Sequence, residues 1–203
     1  MTYTVKDNWL YQDSDAVQNV YSEKAKYTSG SNICDYIVYH FTVTNTARSA
    51  HNTFKNRNVN VSWHLTVDTD GSLYQLYDFR KITWHAGRST WTRPNGQLIT
   101  GLNRWAIGIE VINCGPLTKQ GNDYFNVYNQ EISSDQVFQD GCTGKYWQSY
   151  SDAQLETIRN ITPVLIDKYN CVDVLGHEEI SPGRKIDPGP AFDQTLRQLK
   201  DMI

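Results

Sequence analysis

Three short runs of β-branched, aliphatic and aromatic residues each deliver a single polar side chain toward their C-terminal end. This pattern constrains the fold more than any other feature of the chain. The runs are Asp35-Tyr36-Ile37-Val38-Tyr39-His40-Phe41-Thr42, Trp105 to Ile112 (WAIGIEVI) and Cys171-Val172-Asp173-Val174-Leu175-Gly176-His177. Runs this short and this apolar read as buried strands. The polar residues they carry are His40, Glu110 and His177. Helical segments lie between them. Residues 46–57 place Ala47, Ala50 and Phe54 at helical spacing. Ser151 opens a longer helix, in which Ser151 and Gln154 form a capping box and Leu155, Ile158, Ile161, Leu165 and Tyr169 define one apolar face. Pro163 should kink that helix unless its neighbours absorb the lost hydrogen bond. Phe192 to Ile203 reads as a terminal helix with Leu196 and Leu199 inward. Val61 to Tyr77 holds two strand-like runs around Thr69-Asp70-Gly71-Ser72, a hairpin signal because both positions of a tight Asp-Gly turn need positive φ. Strands interleaved with helices make an α/β domain, a mixed central β-sheet flanked by helices.

At 203 residues a single domain with a sizeable core is expected. No internal repeat, long charge run or Pro/Gly/Ser linker divides the chain. Residues 1–30 are polar and weakly periodic, and read as an N-terminal arm or a peripheral helix. Residues 31–203 form the domain, with an irregular excursion at about 114–150 that is rich in Gly, Asn, Gln and Tyr and has room for a short helix or hairpin. A balance of 19 basic against 22 acidic residues excludes a broad basic field, so no nucleic-acid partner is expected. No run of about 18 apolar residues exists, so no membrane-spanning helix is expected. The first residues, MTYTVKDNWLYQDSD, lack the basic end and apolar stretch of a secretory signal. The expectation is therefore a chain made in the cytoplasm, or a mature one, and a monomer. Cys34, Cys114, Cys142 and Cys171 are widely spaced without a C-x-x-C pair, which argues against a thiolate zinc cluster. Buried free thiols are expected, with a Cys114–Cys142 bridge as the alternative. Thirteen Tyr and six Trp against two Met suit a groove for sugars or peptides, and equally an ordinary core.

Strand ends in an α/β sheet are where a rigid scaffold holds functional side chains. Ten residues past His177 lies Asp187, inside Gly183-Arg184-Lys185-Ile186-Asp187-Pro188-Gly189-Pro190. Pro182, Pro188 and Pro190 stiffen this loop, since proline fixes φ and lowers the entropy lost on folding. A stiff loop returning an acid toward a preceding histidine suits a metal site. Two His and one Asp offer three N/O ligands and leave a fourth position open, as in catalytic zinc. Glu110 is then the carboxylate that takes a proton from water, and Lys185 the cation that stabilises an oxyanion. A hydrogen-bonded structural role for each histidine is the competing reading.

Gly176-His177-Glu178-Glu179-Ile180-Ser181-Pro182-Gly183-Arg184-Lys185-Ile186-Asp187-Pro188-Gly189-Pro190-Ala191-Phe192 resembles the signature of zinc-dependent N-acetylmuramoyl-L-alanine amidases, of the amidase-2 and peptidoglycan-recognition-protein superfamily. Upstream, Val38-Tyr39-His40-Phe41-Thr42 is similar to that family's first ligand strand. Val61 to Asp68 with Asp70-Gly71 and Tyr74-Gln75 resembles its central hairpin, and Trp84-His85-Ala86-Gly87 and Ile107-Gly108-Ile109-Glu110 resemble two further blocks. The blocks stand in family order over about residues 33–193.

The resemblance implies a zinc ion in a surface groove and cleavage of the amide between N-acetylmuramic acid and L-alanine in peptidoglycan. It implies His40, His177 and Asp187 as metal ligands and Glu110 and Lys185 as catalytic residues. Many relatives carry a catalytic Tyr where this chain has Trp63; with Glu110 present the chain falls in the glutamate-using branch, and Trp63 packs or lines the groove. His64 and His85 support the groove or touch substrate. Asn113 binds substrate or makes a turn, Arg88 meets a stem-peptide carboxylate or is solvated, and His51 is expected to be exposed. The expected role is wall lysis of lysin or autolysin type. The alternatives are a cytoplasmic amidase acting on anhydro-muropeptides in wall recycling, or a non-catalytic peptidoglycan-binding protein.

Overall fold

A computed structural model describes residues 1–20, 22 and 25–203 of the chain. Its centre is a six-stranded mixed sheet. In chain order the strands are β1 (Gln18–Asn19), β2 (Tyr36–Phe41), β3 (Leu65–Val67), β4 (Leu73–Gln75), β5 (Ala106–Val111) and β6 (Asp173–Gly176). Across the sheet they run β6-β2-β5-β3-β4-β1. β6, β2, β5 and β3 are mutually parallel, and β3 and β4 form the antiparallel hairpin. Helices α1 (Ala47–Lys55), α2 (Asp152–Tyr169), α3 (His177–Ile180) and α4 (Asp193–Lys200) flank it.

Both faces of the central strands are covered, which is why β2 reads as a continuous apolar run rather than an alternating one. Ile37 and Tyr39 of β2 and Ile107, Ile109 and Val111 of β5 pack with Ile158, Ile161 and Leu165 of α2. Tyr36, Val38 and Ala106 face the other way, against Ala86, Leu102, Leu175 and Ile180. Side chains alternate along a strand, so His40 and Glu110 belong to this second face.

The α2 capping box forms as expected, with Gln154 N–H donating to Ser151 Oγ and Ser151 N–H donating to Gln154 Oε1. The helix runs unbroken through Pro163 and stops at Asn170, whose φ of 54° ends it. Leu155 is only half-buried, while Ile158, Ile161, Leu165 and Tyr169 are buried. The hairpin at 65–75 also forms, but its turn is longer than a two-residue Asp-Gly connection. Asp68 N–H donates to Ser72 O and Gly71 N–H to Asp68 O, and only Gly71 takes positive φ, at 83°. A side chain at Gly71 would also meet the Ala153 carbonyl of α2 at 2.9 Å.

Three expectations are corrected. Residues 1–30, read as an arm or peripheral helix, contain strands: Tyr3–Lys6, Trp9–Gln12 and Asp15–Ala16 form a meander. Its turns, Asp7-Asn8 and Asp13-Ser14, have positive φ at both positions, the two-residue geometry that suits strand twist. Tyr3, Leu10 and Val17 join the main core. The excursion at 114–150 is a five-stranded antiparallel sheet whose strands are two to five residues long, too short to show a period. His51 is buried rather than exposed, because it shares the inward stripe of α1 with Ala47, Ala50 and Phe54. Cys34, Cys114 and Cys171 are buried free thiols and Cys142 is an exposed one, so the Cys114–Cys142 bridge is not formed. Among the described residues no helix is long and apolar enough to cross a membrane.

Candidate functional site

Sheet register assembles the site. Glu110 of β5 pairs with His40 of β2, and Gly176, the last residue of β6, pairs with Tyr39. His177 follows Gly176 as the first residue of α3, so His177, His40 and Glu110 lie in a row at the C-terminal ends of three parallel strands. Neighbouring strands are about 4.8 Å apart, which sets the spacing of that row. Asp187 joins it from the stiff loop, whose backbone is tied back by Glu178 N–H donating to Asp187 O at 2.9 Å. The buried Tyr150 hydroxyl donates to Pro188 O at 2.8 Å and supports the loop from beneath.

Three donor atoms converge. His40 Nδ1 and His177 Nδ1 are 2.8 Å apart, and Asp187 Oδ2 lies 3.1 Å and 2.8 Å from them. All three residues are buried. His177 Nε2 is 3.1 Å from the Ala86 carbonyl, which can only accept, so this nitrogen carries the proton and Nδ1 presents its lone pair. Arg184 Nη2 lies 3.3 Å from the same nitrogen, but its protons have nearer oxygens on Ala86, Arg88 and Ser181. Burial, and then the neighbouring His177, lower His40 to a pKa of about 4, so its imidazole is neutral at pH 7. Burial by itself would raise Asp187, but the His177 and His40 rings that face it hold it well below the usual carboxylate range. Two imidazole nitrogens and one carboxylate pointing at a common centre can hold a divalent metal ion.

Glu110 lies beside the three donors on the same cavity wall. Burial pushes its carboxyl well above the ordinary value, Asp187 pushes it further and Lys185 opposes. Its Oε2 is buried without a hydrogen-bond partner. A carboxyl whose hold on its proton is strengthened in this way suits general acid–base work.

The three ligand candidates, Glu110, Lys185, Trp63 and His85 all line one cavity of about 360 Å³. Trp63 is mostly packing: it is 4% exposed, its indole N–H donates to Thr66 Oγ1 at 2.8 Å, and its ring leans on Phe54. The other three predicted residues do not line that cavity. His64 Nε2 donates to Lys81 O and its Nδ1 accepts from Gly108 N–H, both inside the fold. Asn113 spends its amide on the carbonyls of Gln148 and Ser149 and its oxygen on Gly115 N–H, anchoring the small sheet. Arg88 is exposed beside a neighbouring groove. Sequence reasoning missed Arg184, which lines the cavity and ties the ligand loop to residues 86–88, and Val127, which reaches it from the small sheet. Arg184 stood within the signature loop between the two ligands; nothing in the sequence marked Val127.

Known proteins place this arrangement. A family model described as N-acetylmuramoyl-L-alanine amidase matches residues 29–190. The 1,6-anhydro-N-acetylmuramyl-L-alanine amidase AmpD of Escherichia coli (strain K12) is 32% identical over 135 residues, 66% of this chain and 54% of that protein. This chain thus spans about half the length of the curated relatives it matches. The N-acetylmuramoyl-L-alanine amidase CwlH of Bacillus subtilis (strain 168) is 46% identical over 81 residues, 37% of this chain and 28% of that protein. In fold, the chain is similar to the E. coli N-acetylmuramyl-L-alanine amidase AmiD, solved with the substrate anhydro-N-acetylmuramic acid-L-Ala-D-gamma-Glu-L-Lys. The TM-score is 0.61 at 24% identity, over 97% of this chain and 65% of that one. The family match encloses the strand that carries His40, the strand that carries Glu110 and the loop that carries Asp187, so this chain belongs to the N-acetylmuramoyl-L-alanine amidase (amidase-2) family.

Proposed function

We propose that this chain is a zinc hydrolase that cleaves the amide between the lactyl group of N-acetylmuramic acid and the L-alanine of a peptidoglycan stem peptide. One observation carries the reading: the His40, His177 and Asp187 donor atoms converge beside a half-buried Glu110, whose Oε2 is buried without a partner, on one open cavity. The donor set fits zinc. Two imidazole lone pairs and a carboxylate oxygen within about 3 Å of one another repel unless a proton or a cation lies between them.

Zinc bound there would polarise the scissile carbonyl and acidify an attacking water. Glu110 takes the proton from that water as it attacks. It then returns the proton to the L-alanine nitrogen as the C–N bond breaks. Lys185, half-buried on the same wall, offers its ammonium to the oxyanion that forms on the carbonyl oxygen. The Ala86 carbonyl accepts from His177 Nε2–H and fixes that ring, so this ligand is oriented before substrate arrives. A protein that only bound peptidoglycan would need neither the complete donor set nor the buried acid.

Two substrates fit this chemistry. For intact wall, the support is the small sheet at 116–148, which supplies Pro116 and Val127 to the lining of the cavity. For soluble anhydro-muropeptide, the support is the relative AmpD, whose name states that substrate. We take wall lysis as the principal reading. Turnover should vanish with a chelator and return with zinc. Rates on intact sacculi and on soluble anhydro-muropeptides then separate the two substrates: a preference for the soluble compound overturns the wall reading, and no turnover of either overturns the amidase reading.

A further inference from the structure

The two imidazoles of the donor set are held from behind by one dipeptide, His85-Ala86. The Ala86 carbonyl receives His177 Nε2–H at 3.1 Å. The His85 side chain meets the other ligand, with its Nδ1 3.0 Å from His40 Nε2 and the two rings edge-on at 5.1 Å between centroids. The dipeptide itself is pinned by a single atom. Asn103 Oδ1 accepts from His85 N–H at 3.1 Å and from Ala86 N–H at 2.7 Å.

The protonation pattern follows from the partners. For His40 to present a lone pair at Nδ1, its Nε2 must carry the proton and donate it. The atom facing that proton is His85 Nδ1, which must then be bare. His85 in turn carries its proton on Nε2, which is buried without a hydrogen-bond partner. The position is bought by a gap in the sheet. A Cβ at Gly108 would lie 2.4 Å from His85 Cγ, so only glycine at this point of β5 leaves room for the ring beside the ligand.

We propose that His85-Ala86, anchored by Asn103, fixes the tautomer and orientation of both ligand histidines, making His85 and Asn103 positioning residues for the metal centre rather than substrate contacts. This rests on the metal-centre reading above. Outer partners of ligating histidines typically change metal affinity by about 10–100-fold when lost.

The test is zinc affinity of the whole chain by competition with a chromophoric chelator, with thermal melts of the same variants. The parent should bind one zinc. His85→Leu, which keeps bulk but removes the acceptor, should weaken zinc by about 10–100-fold, while His85→Asn, which restores an oxygen acceptor, should stay within a few-fold of the parent. Asn103→Ala should weaken zinc and Asn103→Asp, which keeps both acceptor contacts, should recover it. In the zinc-loaded, ¹⁵N-labelled parent, His40 and His177 should both carry their proton on Nε2. The proposal is overturned if folded His85→Leu binds zinc as tightly as the parent, or if His85→Asn fails as badly as His85→Leu. Should His85→Leu not fold, His85→Asn and the Asn103 pair carry the comparison. A parent that binds no zinc at all overturns the metal-centre reading first, and this one with it.

Discussion

Glu110 and His64 are buried titratable side chains on the same side of the sheet, and burial drives them in opposite directions. Glu110 holds its proton more tightly than a free carboxyl, because burial and Asp187 disfavour its charge. As a general base it works only when deprotonated, so lowering the pH through this raised pKa should extinguish kcat/KM. The acid limb of the rate profile should therefore lie above the ordinary carboxylate range, and Glu110→Ala should lower kcat by about 10²–10⁴-fold while zinc stays bound. A variant with near-normal rates would remove Glu110 from the acid–base role. His64 shows the reverse: burial lowers it to about 4, although hydrogen bonds to Lys81 and Gly108 oppose the shift. Its unfolded pKa is near 6.5, so below that value the unfolded chain binds the extra proton and stability falls as the pH drops toward 4. Urea unfolding at about pH 7 and pH 5 should show the parent losing about 2 kcal/mol more than His64→Asn over this interval, His40 contributing to both alike.

At the level of elements, local signals and the structure agree wherever one segment carries its own pattern. Helix α2 announces itself through Ser151, Gln154 and the Ile158, Ile161, Leu165 stripe, and it forms over Asp152–Tyr169. Ser151→Ala removes the acceptor for Gln154 N–H and should cost about 1 kcal/mol in a denaturation experiment. Helix α1 was equally legible, yet it is finished by a residue far from it. The buried Lys26 ammonium donates to the Phe54 and Asn56 carbonyls, placing positive charge at the helix C-terminus, where it is stabilising. The strands of the small sheet were not legible, because runs such as Glu131–Ile132 and Tyr146–Gln148 are shorter than any window in which alternation can be counted. The N-terminal turns Asp7-Asn8 and Asp13-Ser14 did carry a signal, two-residue polar pairs of a kind that tolerates positive φ, hidden by the polar strands around them.

For the whole molecule, the first seventeen residues contribute Tyr3, Leu10 and Val17 to the same core as α2 and the central sheet. We therefore expect removal of residues 1–17 to lower the melting temperature of the entire chain in a single transition; an unchanged melt would return them to the status of a loose arm. The sequence by itself determined the α/β class, the strands that carry His40 and Glu110 and the one that leads into His177, the loop that returns Asp187 and the hairpin at Gly71. Each of these is written in side chains that are neighbours along the chain, where period, cap and turn preference act. Only the tertiary structure decided the row His177–His40–Glu110, the buried packing of Trp63 and Asn113, and the clamp behind the ligands. Those depend on strand register and on partners such as His40 with His85, 45 residues apart, and His177 with Ala86, 91 apart. No local period encodes which nitrogen of an imidazole will face a carbonyl; that is fixed when separate segments close on one another and leave each buried polar atom a single partner.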